Sequence, residues 1–148
     1  MSRADVAPAD TERAVRIDLA AVRHNVGVLQ ERIRRPDGSR PLLTAVVKAD
    51  AYGHGAVAVA RAAAAAGADR LGVAHVREAL ALRAAGVRLP VLAWLHTGAT
   101  DFAAAVEAEV TLGVSGWDLD AVADAVRGLR SRGGAGPEAR AVLHLKAD

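Results

Sequence analysis

Two hydrophobic patterns alternate along the chain. Short runs of Val, Leu and Ala recur, and between them apolar residues return at every third or fourth position. The first pattern is that of a buried strand and the second that of one helix face. Residues 13–17 alternate enough to predict a short strand. Asp18 then suits an N-cap, and Leu19, Val22, Val26, Leu29 and Ile33 mark the apolar face of the helix it opens. Pro36-Asp37-Gly38-Ser39 closes that helix with turn chemistry.

A unit then repeats. Residues 42–47 predict a buried strand and residues 56–66 a helix ended by Gly67. Residues 70–74 form the next strand, and Val76, Ala79, Leu80 and Ala84 the face of a helix ended by Gly86. Pro90 introduces a third strand at 91–95, followed by a helix over about 101–108 and a fourth strand at 110–114. Ser115-Gly-Trp-Asp118 resembles a capping box with Asp in the acidic place, and Leu119, Val122, Val126 and Leu129 follow at helical spacing. Residues 131–137 read as a Gly-rich loop and 141–145 as a fifth strand. Strands separated by single helices predict parallel βα units. Two closures satisfy this pattern: a doubly wound open sheet, or part of a (β/α)₈ barrel. The first strand lacks a following G-x-G-x-x-G, which weighs against a dinucleotide fold. The expected fold is therefore an α/β partial (β/α)₈ TIM barrel ending after its fifth barrel strand. A loose tail is expected over residues 1–12, and the partial barrel over 13–148.

Composition narrows the function. The net charge is +2 and the arginines are scattered, which argues against nucleic acid as a partner. There is no cysteine, so disulfides, thiolate catalysis and Cys-bound metal are excluded. No signal-peptide pattern opens the chain, and the alanine run at 62–66 is too short and weakly apolar to span a membrane. A soluble cytoplasmic protein is the expectation.

Lysine is the informative residue. Among nineteen Lys and Arg, only Lys48 and Lys146 are lysines. Each follows a strand, Val47-Lys48-Ala49-Asp50 being echoed by Leu145-Lys146-Ala147-Asp148. Barrel enzymes carry their catalytic groups at the carboxyl ends of strands. An amine desolvated there has a lowered pKa and serves as a Schiff-base nucleophile or a base; a lysine snorkelling from the strand end explains Lys48 equally well. Tyr52, the only tyrosine, suits either a core ring or a phosphate donor. Gly53 and Gly55 around His54 need be no more than turn geometry. His75, His96 and His144 end or follow strands, but loop polarity accounts for them and no H-x-H or H-x-x-x-H spacing is present, so no metal is expected. Trp94 suits either the core or a pocket wall, Trp117 suits packing at a helix start, and Glu78 and Glu107 suit solvated helix faces.

The contiguous stretch Ala45-Val46-Val47-Lys48-Ala49-Asp50-Ala51-Tyr52-Gly53-His54-Gly55 closely resembles the pyridoxal-phosphate signature of the alanine racemase family. Glu78-Ala79-Leu80-Ala81-Leu82-Arg83 with Gly86, Pro90-Val91-Leu92-Ala93-Trp94-Leu95, and His144-Leu145-Lys146-Ala147-Asp148 are similar to later segments of that family. The resemblance covers almost the whole chain from about residue 13. It implies a fold-type III enzyme: an N-terminal barrel, a C-terminal β domain and a homodimer with shared active sites. It also implies a pyridoxal 5'-phosphate cofactor bound by Lys48, with Tyr52 at the cofactor phosphate and Trp94 lining its pocket. Lys146 matches a lysine that is carbamylated in some members and orients a substrate-binding arginine. The implied reaction interconverts L- and D-alanine for peptidoglycan synthesis. The strand at 13–17 would then belong to the β domain. The family's second base is a tyrosine of the partner's C-terminal domain, and no tyrosine besides Tyr52 is present. The chain is therefore expected to be an N-terminal portion, inactive alone. Another fold-type III protein, an amino-acid decarboxylase or cofactor carrier, and a non-catalytic remnant remain as alternatives.

Overall fold

The computed structural model describes residues 13–132 and 138–147. The elements run α1 (Leu19–Arg32), β1 (Thr44–Val46), α2 (Lys48–Gly53), α3 (Ala56–Ala65), β2 (Arg70–Val73), α4 (Val76–Ala84), β3 (Val91–Ala93), α5 (Phe102–Glu107), β4 (Val110–Val114), α6 (Trp117–Arg132) and β5 (Leu143–Leu145). The five strands form one parallel sheet in the order β1-β2-β3-β4-β5. Each strand therefore lies beside its neighbour in sequence. A doubly wound sheet reverses its order partway; this one does not, and the architecture is a partial α/β barrel.

Parallel register decides which side chains share a face. Ala45, Leu71, Val91 and Val110 stand in one row, and Val73, Ala93 and Leu112 in another. These residues pack on Ala60, Ala79, Leu82, Phe102 and Val122 from the helices to make the core. The opposite face carries Thr44, Val46, Gly72, Leu92, Thr111, Gly113 and His144. It is the concave, lumen side, and Val46 there is 42% exposed. A smaller cluster of Val26, Ala63 and Ala68 seats α1 against α3.

Helix ends follow from the sequence. The Asp18 carboxylate accepts from the Ala20 and Ala21 N–H groups and caps α1. Asp101 does the same for α5 through Ala104 N–H. Gly67 and Gly86, at φ +90 and +80, end α3 and α4 with the chain turning back from the Ala68 and Val87 N–H groups to the Ala63 and Leu82 carbonyls. Asp118 accepts from the Ser115 N–H, as the capping-box reading required, although Leu119 on the expected apolar face is 41% exposed.

Four expectations are corrected. Residues 13–17 form no strand, having no ladder partner among the described residues. The strand expected over 42–47 shrinks to Thr44–Val46 and is not buried on both faces, because β1 is an edge strand over an open lumen. Ser131 and Arg132 are helical, since the capped α6 runs on into the expected loop; 133–137 lie outside the described residues, as does the tail expected over 1–12. β5 covers only Leu143–Leu145, and all three residues are exposed at the free edge.

Candidate active site

Lys48 follows β1 and opens α2, an unusual segment. Ala49, Asp50, Ala51 and Tyr52 all have left-handed dihedrals, with φ between 51 and 58. A left-handed conformation costs a non-glycine residue about 1–2 kcal/mol, so four in succession cost on the order of 4–8 kcal/mol. Such strain persists only where the surroundings impose it. Here the Ala51 N–H reaches back to the Val47 carbonyl (3.0 Å), and the Gly55 N–H to the Asp50 carbonyl (2.9 Å). The Asp50 carboxylate accepts from the Ala56 N–H at 2.7 Å and so caps α3. His54 Nδ1, 2.9 Å from the Ala51 carbonyl, donates there when it carries the ring proton. Gly53 and Gly55, at φ +82 and +89, extend the same hand.

The turn sets two side chains beside each other. Lys48 Nζ lies 5.9 Å from the centre of the Tyr52 ring, at the outer reach of a cation–π contact. Tyr52 is 62% exposed, so it is not the core ring that the sequence left open.

Trp94 continues β3 over the lumen. A Cβ on Gly72 would meet its ring at 2.7 Å, and one on Gly113 would meet its own Cβ at 3.0 Å. The indole therefore fits only because both flanking strands lack a side chain there. Glycine inside a strand pattern signals such close approach, and Leu71-Gly72-Val73 and Leu112-Gly113-Val114 both carry that cue. Across the same rim, Lys146 donates from Nζ to the Trp94 carbonyl at 3.2 Å, and its backbone N–H to the Val114 carbonyl at 2.8 Å. The structure thus joins the four sequence-selected residues as two pairs, Lys48 with Tyr52 and Lys146 with Trp94, on the carboxyl rim of one parallel sheet.

The histidines separate. His75 is the N-cap of α4, with Nδ1 3.2 Å from the Leu95 carbonyl. His96 meets Phe102 edge-on at 5.2 Å with both ring nitrogens buried, and burial pushes its imidazole below the ordinary range. His144 is exposed on β5. Among the described residues no three His, Asp or Glu side chains gather where they could hold a metal ion.

Glu78 overturns its sequence reading as a solvated residue, whereas Glu107 is exposed as expected. The Glu78 carboxylate is half-buried and accepts three backbone N–H bonds: Ala49 at 2.7 Å, Ala74 at 2.8 Å and His75 at 2.9 Å. Burial pushes its carboxyl up, but the His75, Ala49 and Ala74 donors outweigh it and hold the group below the ordinary glutamate range. The cue was Glu at the third helical position, the acidic half of a capping box. It passed unread because His75, not Ser or Thr, stands at the N-cap.

A sequence model of the family described as "Alanine racemase, N-terminal domain" matches residues 17–148. The chain belongs to that family. It is 59% identical over 99 residues to an alanine racemase of Mycolicibacterium smegmatis, covering 67% of this chain and 24% of that protein. Among solved structures, an alanine racemase of Streptomyces coelicolor is similar with a TM-score of 0.75 at 46% identity, covering 89% of this chain and 32% of the other. That of a D-cycloserine-producing Streptomyces lavendulae gives 0.71 at 49% identity, over 76% and 28% of the two chains. The chain thus spans about a quarter to a third of the length of these family members.

Proposed function

We propose that these residues are the cofactor-anchoring, N-terminal part of a pyridoxal 5'-phosphate-dependent alanine racemase. In its full length it would be a cytoplasmic homodimer that interconverts L- and D-alanine for peptidoglycan synthesis. The observation that carries this reading is the strained turn that fixes Lys48 and Tyr52 together at the carboxyl end of β1. Family membership supports it.

The donor set fits the cofactor's chemistry. The Lys48 amine suits its carbonyl, the hydroxyl of the exposed Tyr52 its phosphate, and the Trp94 side chain, given room by Gly72 and Gly113, one wall of its pocket. Bound pyridoxal phosphate supplies an electron sink that acidifies the Cα–H of an amino acid joined to it. Lys48 Nζ, as a free amine, then takes or returns a proton on one face of that carbon. Lys146, braced on the Trp94 carbonyl, stands at the far side of the rim, where it would orient the substrate's carboxylate partner. Carbamylation of its amine would make it an acceptor for that role. Inversion also needs an acid on the opposite face. Tyr52 lies beside Lys48 and leaves that face to a group supplied from elsewhere.

The test combines two measurements on the purified chain. Reductive trapping of pyridoxal phosphate should label Lys48, and Lys48→Ala should abolish the label; an unchanged label would remove Lys48 from its role. D-alanine should not accumulate from L-alanine and cofactor, and robust turnover would overturn the reading of this part as inactive alone.

A further inference from the structure

Glu78 has a task that helix capping does not explain. A capping glutamate needs only its own N-cap amide, here that of His75. The Glu78 carboxylate also takes the Ala49 N–H, crossing to the neighbouring βα unit and landing on the residue directly after Lys48. Ala49 is the first left-handed residue of α2. Alanine does not choose that conformation unaided. Ala51 packs into the core, but a pocket of about 220 Å³ lined by Val47, Asp50, Val73, Glu78 and Leu82 lies beside the turn. Beyond its own backbone bonds, the turn is held by two carboxylates, Glu78 on the Ala49 N–H and Asp50 on the Ala56 N–H.

We propose that Glu78 is a positioning residue for Lys48. By holding Ala49, it fixes the left-handed turn and with it the direction of the Lys48 amine and the Tyr52 ring. The inference rests on Lys48 being the reactive amine of the proposed function, but its first two readouts need no cofactor.

Glu78→Gln, made in the full chain, leaves one acceptor oxygen where two are used. Protection of the Ala49 amide against hydrogen exchange should fall about tenfold, the loss of one bond to a charged group. Because the chain has only two lysines, trace acylation mapped by mass spectrometry gives a Lys48-to-Lys146 ratio with an internal reference. That ratio should shift in Glu78→Gln and stay unchanged in Arg83→Gln, at the other end of the same helix. The decisive variant is Ala49→Gly combined with Glu78→Gln. Glycine adopts positive φ without help, so the double variant should recover both the labelling ratio and the rate of pyridoxal-phosphate trapping at Lys48. A glutamate that merely supported α4 would not be rescued this way. Unchanged exchange and labelling in Glu78→Gln, or no recovery in the double variant, overturns the proposal. If Glu78→Gln alone does not fold, a folded double variant with the native ratio supports it and an unfolded one overturns it. A wild-type chain that traps no cofactor would overturn the proposed function and leave the exchange and labelling results standing.

Discussion

At the amino end of α4, Glu78 gathers three backbone N–H groups from the strand ends above β1 and β2. At its carboxyl end, Arg83 delivers N–H donors to four carbonyls, those of Ala108, Val87, Leu89 and Glu109. Both side chains are half-buried charges that bond to backbone rather than to an opposite charge, yet they support different things. Arg83 ties together the loops entering β3 and β4, where the chain is relaxed apart from one residue. Glu78 holds a run of four left-handed residues that the chain would not adopt alone. Barrels commonly divide in this way, with stability on the amino rim and chemistry on the carboxyl rim. Here the division runs along a single helix.

The largest expected effect tests the lower rim. Arg83→Ala strips the guanidinium from several partly buried carbonyls and should cost about 2–4 kcal/mol in urea unfolding. It should leave the Lys48-to-Lys146 labelling ratio of the folded chain unchanged; a shifted ratio would mean that the two rims are coupled.

Asp69, also on the lower rim, comes next. The Arg40 guanidinium at 2.5 Å and the Leu43 N–H at 2.7 Å lower its carboxyl from 3.8 to about 2. A carboxyl depressed by folding stabilises above its unfolded value, and the contribution is lost as pH falls through the folded one. Stability from this contact should therefore be complete above about pH 4 and fade toward pH 2. Asp69→Asn should cost about 1–2 kcal/mol at neutral pH and flatten the unfolding midpoint across that window.

The smallest effect is a gain. Among the described residues, α3, α4 and α5 are each closed by a residue of positive φ: Gly67, Gly86 and, after α5, Glu109 at φ +53. Glu109→Gly should raise stability by about 0.5–1 kcal/mol, the steric cost of a side chain at that position reduced by glycine's freedom in the unfolded chain. Thermal unfolding would show it, and a loss would place a favourable contact on the Glu109 side chain.

Most of the fold was legible because its signals are local. Helical spacing, Asp18, Asp101, Gly67 and Gly86 each mark a boundary within a few residues of themselves. The strand at 13–17 was misread because alternation is a weak signal without a partner strand. The exposure of β1 and β5 depends on what lies across the lumen, which no local pattern encodes. At the site, Lys48 and Lys146 stood out by their scarcity, and the structure places both on one rim. Glu78 did not stand out, because its function depends on three amides, one of them in another βα unit. The left-handed turn was equally hidden, since only Asp50 in Ala49-Asp50-Ala51-Tyr52 is a residue that tolerates that hand.

The sequential strand order also bears on how the fold is reached. Each strand after β1 pairs with the one made just before it, across one helix or, between β1 and β2, the two short helices α2 and α3, so no pairing waits for a distant segment. Loop-closure entropy grows only slowly with such spans, and local pairings fold faster than remote ones. The sheet can therefore grow in the direction of synthesis, from β1 toward β5. On that schedule the turn bearing Lys48 is built first but stays unsecured until α4 brings Glu78 into place.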